Sequence, residues 1–138
     1  MIRRAELRDA EALARLIGQL GYEASRGEVA DRLATMDAEG RAVLVAERDG
    51  TVIGCLTTSA MRVLHRPAPV GRISMMVVDE ALRSQGIGAA LVRAAEELLA
   101  ARGCTMVEVT SNFKRTEAHR FYETLGYERT SVRLAKEI

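Results

Sequence analysis

Apolar residues recur first at helical spacing, then at alternating spacing, and the switches between the two set out the elements. Ile2 to Ala5 reads as a short opening strand. Asp9 reads as an N-cap, and Leu13, Leu16, Ile17 and Leu20 behind it share one helical face that Gly21 stops. Ser25-Arg26-Gly27-Glu28 has the form of a capping box, with Val29, Leu33 and Met36 as the stripe behind it and Gly40 as the end. The period then drops to two. Ala42 to Arg48 alternates into Asp49-Gly50, a two-residue hairpin signal, and Thr51 to about Leu64 is a long return strand. Pro67 and Pro69 make His65 to Val70 a loop, and Arg72 to Val78 is the fourth strand. After a polar stretch, Gly86 opens a helix lined by Ile87, Leu91, Ala94 and Leu98 and closed by Gly103. Cys104 to Thr110 reads as a fifth strand, Thr116 to Leu125 as a short helix, and Tyr127 to Leu134 as a last strand.

The order is β-α-α-β-β-β-α-β-α-β. Three consecutive strands argue against a purely parallel sheet, while the helix between the fourth and fifth strands requires one parallel pair with a right-handed crossover. The expected class is α/β (α+β), a mixed, mostly antiparallel sheet with flanking helices. The 138 residues suffice for one domain, 1–138, with one core. At 48% hydrophobic and 28% charged the composition is that of an ordinary globular protein, and a formal charge of +1 gives no global field for nucleic acid or membrane. Met1-Ile2-Arg3-Arg4 precedes no apolar run, and no stretch approaches the roughly 20 apolar residues of a spanning helix, so a cytoplasmic protein is expected. Cys55 and Cys104 lack metal-site spacing and sit in apolar stretches, which suits buried thiols in a reducing compartment; no metal is expected.

The chemistry concentrates at Arg83-Ser84-Gln85-Gly86-Ile87-Gly88, where a strand feeds a helix. Glycines there allow backbone N–H groups to approach an oxyanion, and the helix N-terminus adds unpaired donors and partial positive charge. Such a loop suits a pyrophosphate, with Arg83 as a charged donor. A dinucleotide fingerprint fits less well. Its third glycine position holds Leu91, and the stretch from Asp79 to Gln85 is too long for the tight turn, although Glu108 lies 20 residues after Gly88. A phosphate-binding Walker loop is excluded, since no Gly-Lys-Ser/Thr follows.

Three segments in order resemble the GNAT superfamily of acetyl-CoA-dependent N-acetyltransferases. They are Val77-Val78-Asp79, the run Leu82 to Leu91, and Ala118-His119-Arg120-Phe121-Tyr122-Glu123-Thr124-Leu125-Gly126-Tyr127. The stretch Ser111 to Tyr122 is similar to small bacterial members, among them aminoalkylphosphonate N-acetyltransferases. The resemblance implies acetyl-CoA as cosubstrate and a small-molecule amine as acceptor. The strand end Met76-Val77-Val78 would hold the acetyl carbonyl and pantetheine arm through backbone groups of Met76 and Val78. Amides of Ser84, Gln85, Gly86, Ile87, Gly88 and Ala89 would hold the pyrophosphate, and Tyr122 would face the sulfur as general acid. Where many relatives place a cofactor-binding Asn, this sequence has Arg115, with Asn112 three residues earlier. Where many place a catalytic carboxylate, Ser74 and Met75 offer none. The chain also ends soon after Leu134, which shortens the family's C-terminal hairpin to about one strand.

A protonated amine must lose its proton before it attacks. Glu108, His119, His65 or a chain of waters are the candidate acceptors. Tyr22, Arg26 and Arg66 lie in loops near the expected acceptor mouth, and either arginine suits an anionic acceptor such as a phosphonate or phosphate. Acetylation of a protein or peptide, and a non-catalytic acetyl-CoA sensor, are the alternative functions. Dimers are common among similar proteins, which leaves a homodimer open.

Overall fold

Every alternating stretch up to Val78 is a strand in the computed structural model, which describes residues 1–110 and 116–138. In chain order the elements are β1 (Ile2–Arg4), α1 (Ala10–Gln19), α2 (Arg26–Ala38), β2 (Val43–Arg48), β3 (Thr51–Met61), β4 (Val70–Val78), α3 (Ile87–Ala101), β5 (Val107–Val109) and α4 (Thr116–Thr124). They build one five-stranded sheet in the order β1-β2-β3-β4-β5. The first four strands pair antiparallel, and β4 pairs parallel with β5 across the α3 crossover.

Both faces of the sheet are covered, which is why residues 42–46 are buried without a break. Val43, Val45, Val52, Cys55 and Val77 pack with α1 and α2. Leu44, Ala46, Ile53, Leu56 and Ile73 pack with α3 and with Tyr122 of α4. Both cysteines are free and buried, and burial pushes the Cys55 thiol up to about 12. The helix α3 lies close on the sheet at Gly71, where a Cβ would stand 2.9 Å from Leu99 Cδ1.

Local signals translated directly. The Ser25 and Glu28 side chains exchange hydrogen bonds with each other's backbone amides at 3.1 and 3.0 Å, a complete capping box. Asp49 and Gly50 take φ of 52° and 77°, as a type I′ hairpin turn needs.

Four expectations are corrected. Asp9 does stand at the N-cap position of α1, but its side chain makes no capping bond to the helix; it turns back to Arg3 and to the Glu6 amide. The strand from Thr51 stops at Met61, not Leu64, because Met61 pairs with Val70 and the prolines between them cannot extend the ladder. The fifth strand shrinks from Cys104–Thr110 to Val107–Val109, because its ladder with β4 is confined to Gly71, Arg72 and Ile73: β4 has barely begun at Gly71 and diverges after Ile73. No strand forms over Tyr127–Leu134: Val132 and Leu134 are 85% and 91% exposed. Alternation by itself does not make a strand; the segment must also pair through its backbone with a neighbour.

Candidate functional site

A bulge in β4 creates the opening in the sheet. Thr57 pairs with Met75 but Thr58 pairs with Ile73, so Ser74 is an extra residue on β4. The ladder to β5 ends at the same point, with Ile73 opposite Val109. Hydrogen bonds on either side show what the extra residue does. The Gly71 amide donates to Met106 O at 3.0 Å, toward β5, whereas the Asp79 amide donates to Ile53 O at 2.8 Å, toward β3. Backbone direction alternates along a strand, so two odd-numbered residues can face opposite sides only if one residue is inserted between them. The amides that face the open edge after the bulge are therefore those of Met76 and Val78. Among the described residues no strand pairs with them on that side.

The open edge leads to the N-terminus of α3. The first helical hydrogen bond runs from the Ala90 amide to Gly86 O, so the amides of Ile87, Gly88 and Ala89 have no acceptor within the helix. Gly86 has φ of 81°, and Ser84 holds the same left-handed region at 65°. The loop is pinned at both ends. Asp79 receives Arg15 of α1 at 2.9 Å, and the Glu80 amide donates to Gln19 Oε1 at 2.9 Å. Its own bond from the Ala81 amide, then Arg15, holds the Asp79 carboxyl below its ordinary pKa. At the other end Arg48 donates to Gln85 Oε1 at 3.0 Å, so the Gln85 side chain anchors the loop. Arg83, Ser84 and Gln85 stay exposed. Gly88 has a different reason from the one its motif suggests. A Cβ there would meet Phe121 Cζ at 3.2 Å and Met76 Cε at 3.5 Å, so its bareness lets α4 pack against α3. The exposed loop, the unpaired helical amides and the open strand edge form a continuous cradle that fits a pyrophosphate carrying an extended arm.

Tyr122 of α4 is 8% exposed and belongs to the core on the α3 face. Its ring meets Phe121 and Tyr127 edge-on at 5.1 and 5.8 Å between centroids. Tyr127 donates to Glu96 of α3 at 2.8 Å; burial, then that carboxylate, push its phenol well above the ordinary value. The bond from Tyr127 to Glu96 and the packing of Phe121 over Gly88 thus hold α4 against α3, beside Met76.

A cavity of about 270 Å³ opens where β3, β4 and β5 run side by side. Its walls include Arg66, His65 and Glu108, so three of the sequence candidates for the acceptor end meet there. Tyr22 and Arg26 are exposed at the α1–α2 connection and do not line it. His119 is half-buried on α4. Asn112 and Arg115 lie outside the described residues. The cavity also holds Arg72, which sequence reading passed over. Its signal was a lone charge inside an otherwise apolar strand. No cluster of His, Cys, Asp or Glu among the described residues has the form of a metal site, and no described helix is long and apolar enough to cross a membrane.

Comparison with known proteins agrees with this geometry. Residues 8–127 match the acetyltransferase (GNAT) family. An aminoalkylphosphonate N-acetyltransferase of Salmonella typhimurium is 32% identical over 142 residues, covering 99% of this chain and 90% of that protein. A mycothiol acetyltransferase of Thermobispora bispora is 34% identical over 64% of this chain, which is 30% of its own length. Among solved structures, an acetyltransferase of Trypanosoma brucei superposes with a TM-score of 0.85 at 25% identity, over 100% of this chain and 99% of that one.

Proposed function

We propose, from the premise that the chain belongs to the GNAT acetyltransferase family and is an acetyl-CoA-dependent N-acetyltransferase, that it acetylates the primary amine of a small, anionic molecule. The observation that carries the reading is the fork in the sheet: it begins at Ser74, turns the Met76 and Val78 amides outward, and ends at the α3 N-terminus. A pantetheine arm beside β4 replaces the missing ladder, and amides of Ser84 to Ala89 receive the pyrophosphate. Arg83 adds a charged donor at the exposed loop.

The neutral amine attacks the thioester carbonyl, and the Val78 N–H donates to the oxygen on which negative charge develops. The amine's proton leaves through Glu108 or through water in the cleft. Collapse expels a thiolate, to which the Tyr122 hydroxyl donates. An ordinary phenol titrates near pKa 10 and a thiol near 8.5, so complete proton transfer is uphill by about 2 kcal/mol. Tyr122 therefore acts first as a hydrogen-bond donor, and positioning supplies much of the rate. The similarity to an aminoalkylphosphonate N-acetyltransferase supports the small anionic acceptor over a protein or peptide.

Calorimetric titration with acetyl-CoA and a thiol-release assay across an amine panel test the reading. We expect binding together with thiol release; binding without release from any amine would leave a sensor. Tyr122→Phe should lower turnover at least about tenfold, the loss of one hydrogen bond to a charged group, while acetyl-CoA affinity holds. Unchanged turnover removes Tyr122 from the mechanism.

A further inference from the structure

We propose that Arg72 anchors the anionic group of the acceptor and so selects short amino acids or aminoalkyl phosphonates over neutral amines. The proposal rests on the acetyl-transfer reading above and names the residue that sets its substrate class.

Gly71 faces Leu99 of α3, so Arg72 projects from the opposite face of the sheet, into the cavity. Its guanidinium makes one hydrogen bond to the described residues, from Nη2 to Thr110 Oγ1 at 2.8 Å. Its Nε is buried and has no hydrogen-bond partner among the described residues. An arginine confined in a cleft with unspent donors is complementary to a carboxylate or phosphonate, which accepts through two oxygens at once.

The direction of the side chain matters as much as its charge. Arg72 stands opposite Glu108 and Ile73 opposite Val109, so Thr110 lies level with Ser74, where the strands part. The guanidinium therefore reaches along β4 to the base of the fork. From Ser74 to Met76 is two residues, about 7 Å of strand. An acceptor held at Arg72 with its amine at the thioester spans that gap with roughly three bonds between nitrogen and acid, the hydrogen bond to the guanidinium supplying the remaining ~3 Å. Other charges on the cavity agree with a zwitterion. Arg66 stands with Arg72 on the cationic side, and Glu108 gives one carboxylate for the incoming ammonium. Arg72 and Glu108 form no ion pair, although they are ladder partners. The guanidinium is thus left available to a ligand.

The test compares 2-aminoethylphosphonate and β-alanine with propylamine as acceptors, by thiol release. Wild type should favour the anionic amines in kcat/KM by at least about tenfold, the size of one charge-assisted hydrogen bond. Arg72→Gln should bring that preference close to one through KM of the anionic amine, and Arg72→Lys should restore part of it. Methylphosphonate should inhibit the wild type competitively against the amine and not against acetyl-CoA, a readout that needs no variant to fold. No preference in wild type, a preference that survives in a folded Arg72→Gln, or failure of methylphosphonate to compete overturns the proposal and leaves acetyl transfer standing. Thiol release from no amine at all overturns the acetyl-transfer reading, and the proposal with it.

Discussion

Asp9 shows how a single side chain can serve tertiary structure while carrying a local signature. Its carboxylate, 4% exposed, receives Arg3 of β1 through two bonds of 2.8 and 2.9 Å and the Glu6 amide at 2.8 Å. Glu47 of β2 holds the same guanidinium at 3.1 Å, so the cluster ties the start of the first helix to the sheet edge. The bond from Arg3 is the main reason the Asp9 carboxyl lies below its ordinary pKa. The stability it contributes is fully present above the unfolded value near 4 and is lost as pH falls through the lower folded value. Asp9→Asn should therefore cost about 3 kcal/mol at pH 7, the usual cost of breaking a buried pair. In urea unfolding the gap from wild type should narrow at pH 3; an undiminished gap would exclude the ion pair as its cause. From sequence, an Asp before an apolar stripe looks the same whether it caps or pairs with a strand. Ser25 and Glu28 were legible because each partner is three residues from the other. Arg72 was not, because what distinguishes it is the neighbours it lacks.

At the scale of elements, α3 depends on bare positions beneath it. Gly71 lies under Leu99, and a Cβ on Gly54 would stand 3.1 Å from Leu91 Cδ1. Gly71→Val should lift α3 off β4 and cost roughly 1 to 3 kcal/mol by overpacking. Calorimetric melting checks it, and an unchanged Tm would mean that α3 shifts freely on the sheet. Elements held by local pairing were readable: both sides of the Asp49-Gly50 hairpin, the two N-terminal helices, and α3 after Gly86. The bulge was not, because Ser74-Met75-Met76 is ordinary strand composition and the inserted residue shows only in the register with β3. Gly88 was read together with the loop, yet it lies in the first turn of α3 and the nearest neighbour of a Cβ there would be Phe121 of α4, far along the chain.

For the whole molecule, the sheet separates a helix pair on one face from the loop-bearing helix on the other, and the fork joins the two sides. The last firm attachment of the chain is Tyr127, through Glu96 and the ring of Tyr122. Beyond it, Arg129 pairs with Glu123 at an exposed position, which contributes little. A chain ending after Glu128 should keep its stability within about 0.5 kcal/mol. One ending after Gly126 should lose roughly 3 kcal/mol, because an aromatic side chain leaves the core. Thermal melting of both truncations decides it; a large, concentration-dependent loss from the shorter deletion would instead show residues 129–138 buried between two copies. Ser74 has a consequence of its own. One added residue gives β4 a reading frame: before it, odd-numbered amides address a neighbouring strand, and after it even-numbered ones address whatever enters the gap. Side chains in this stretch can be exchanged without changing that assignment. A change of length by one residue between Gly71 and Val78 reverses it, so the strand is far less free to gain or lose a residue than to change one.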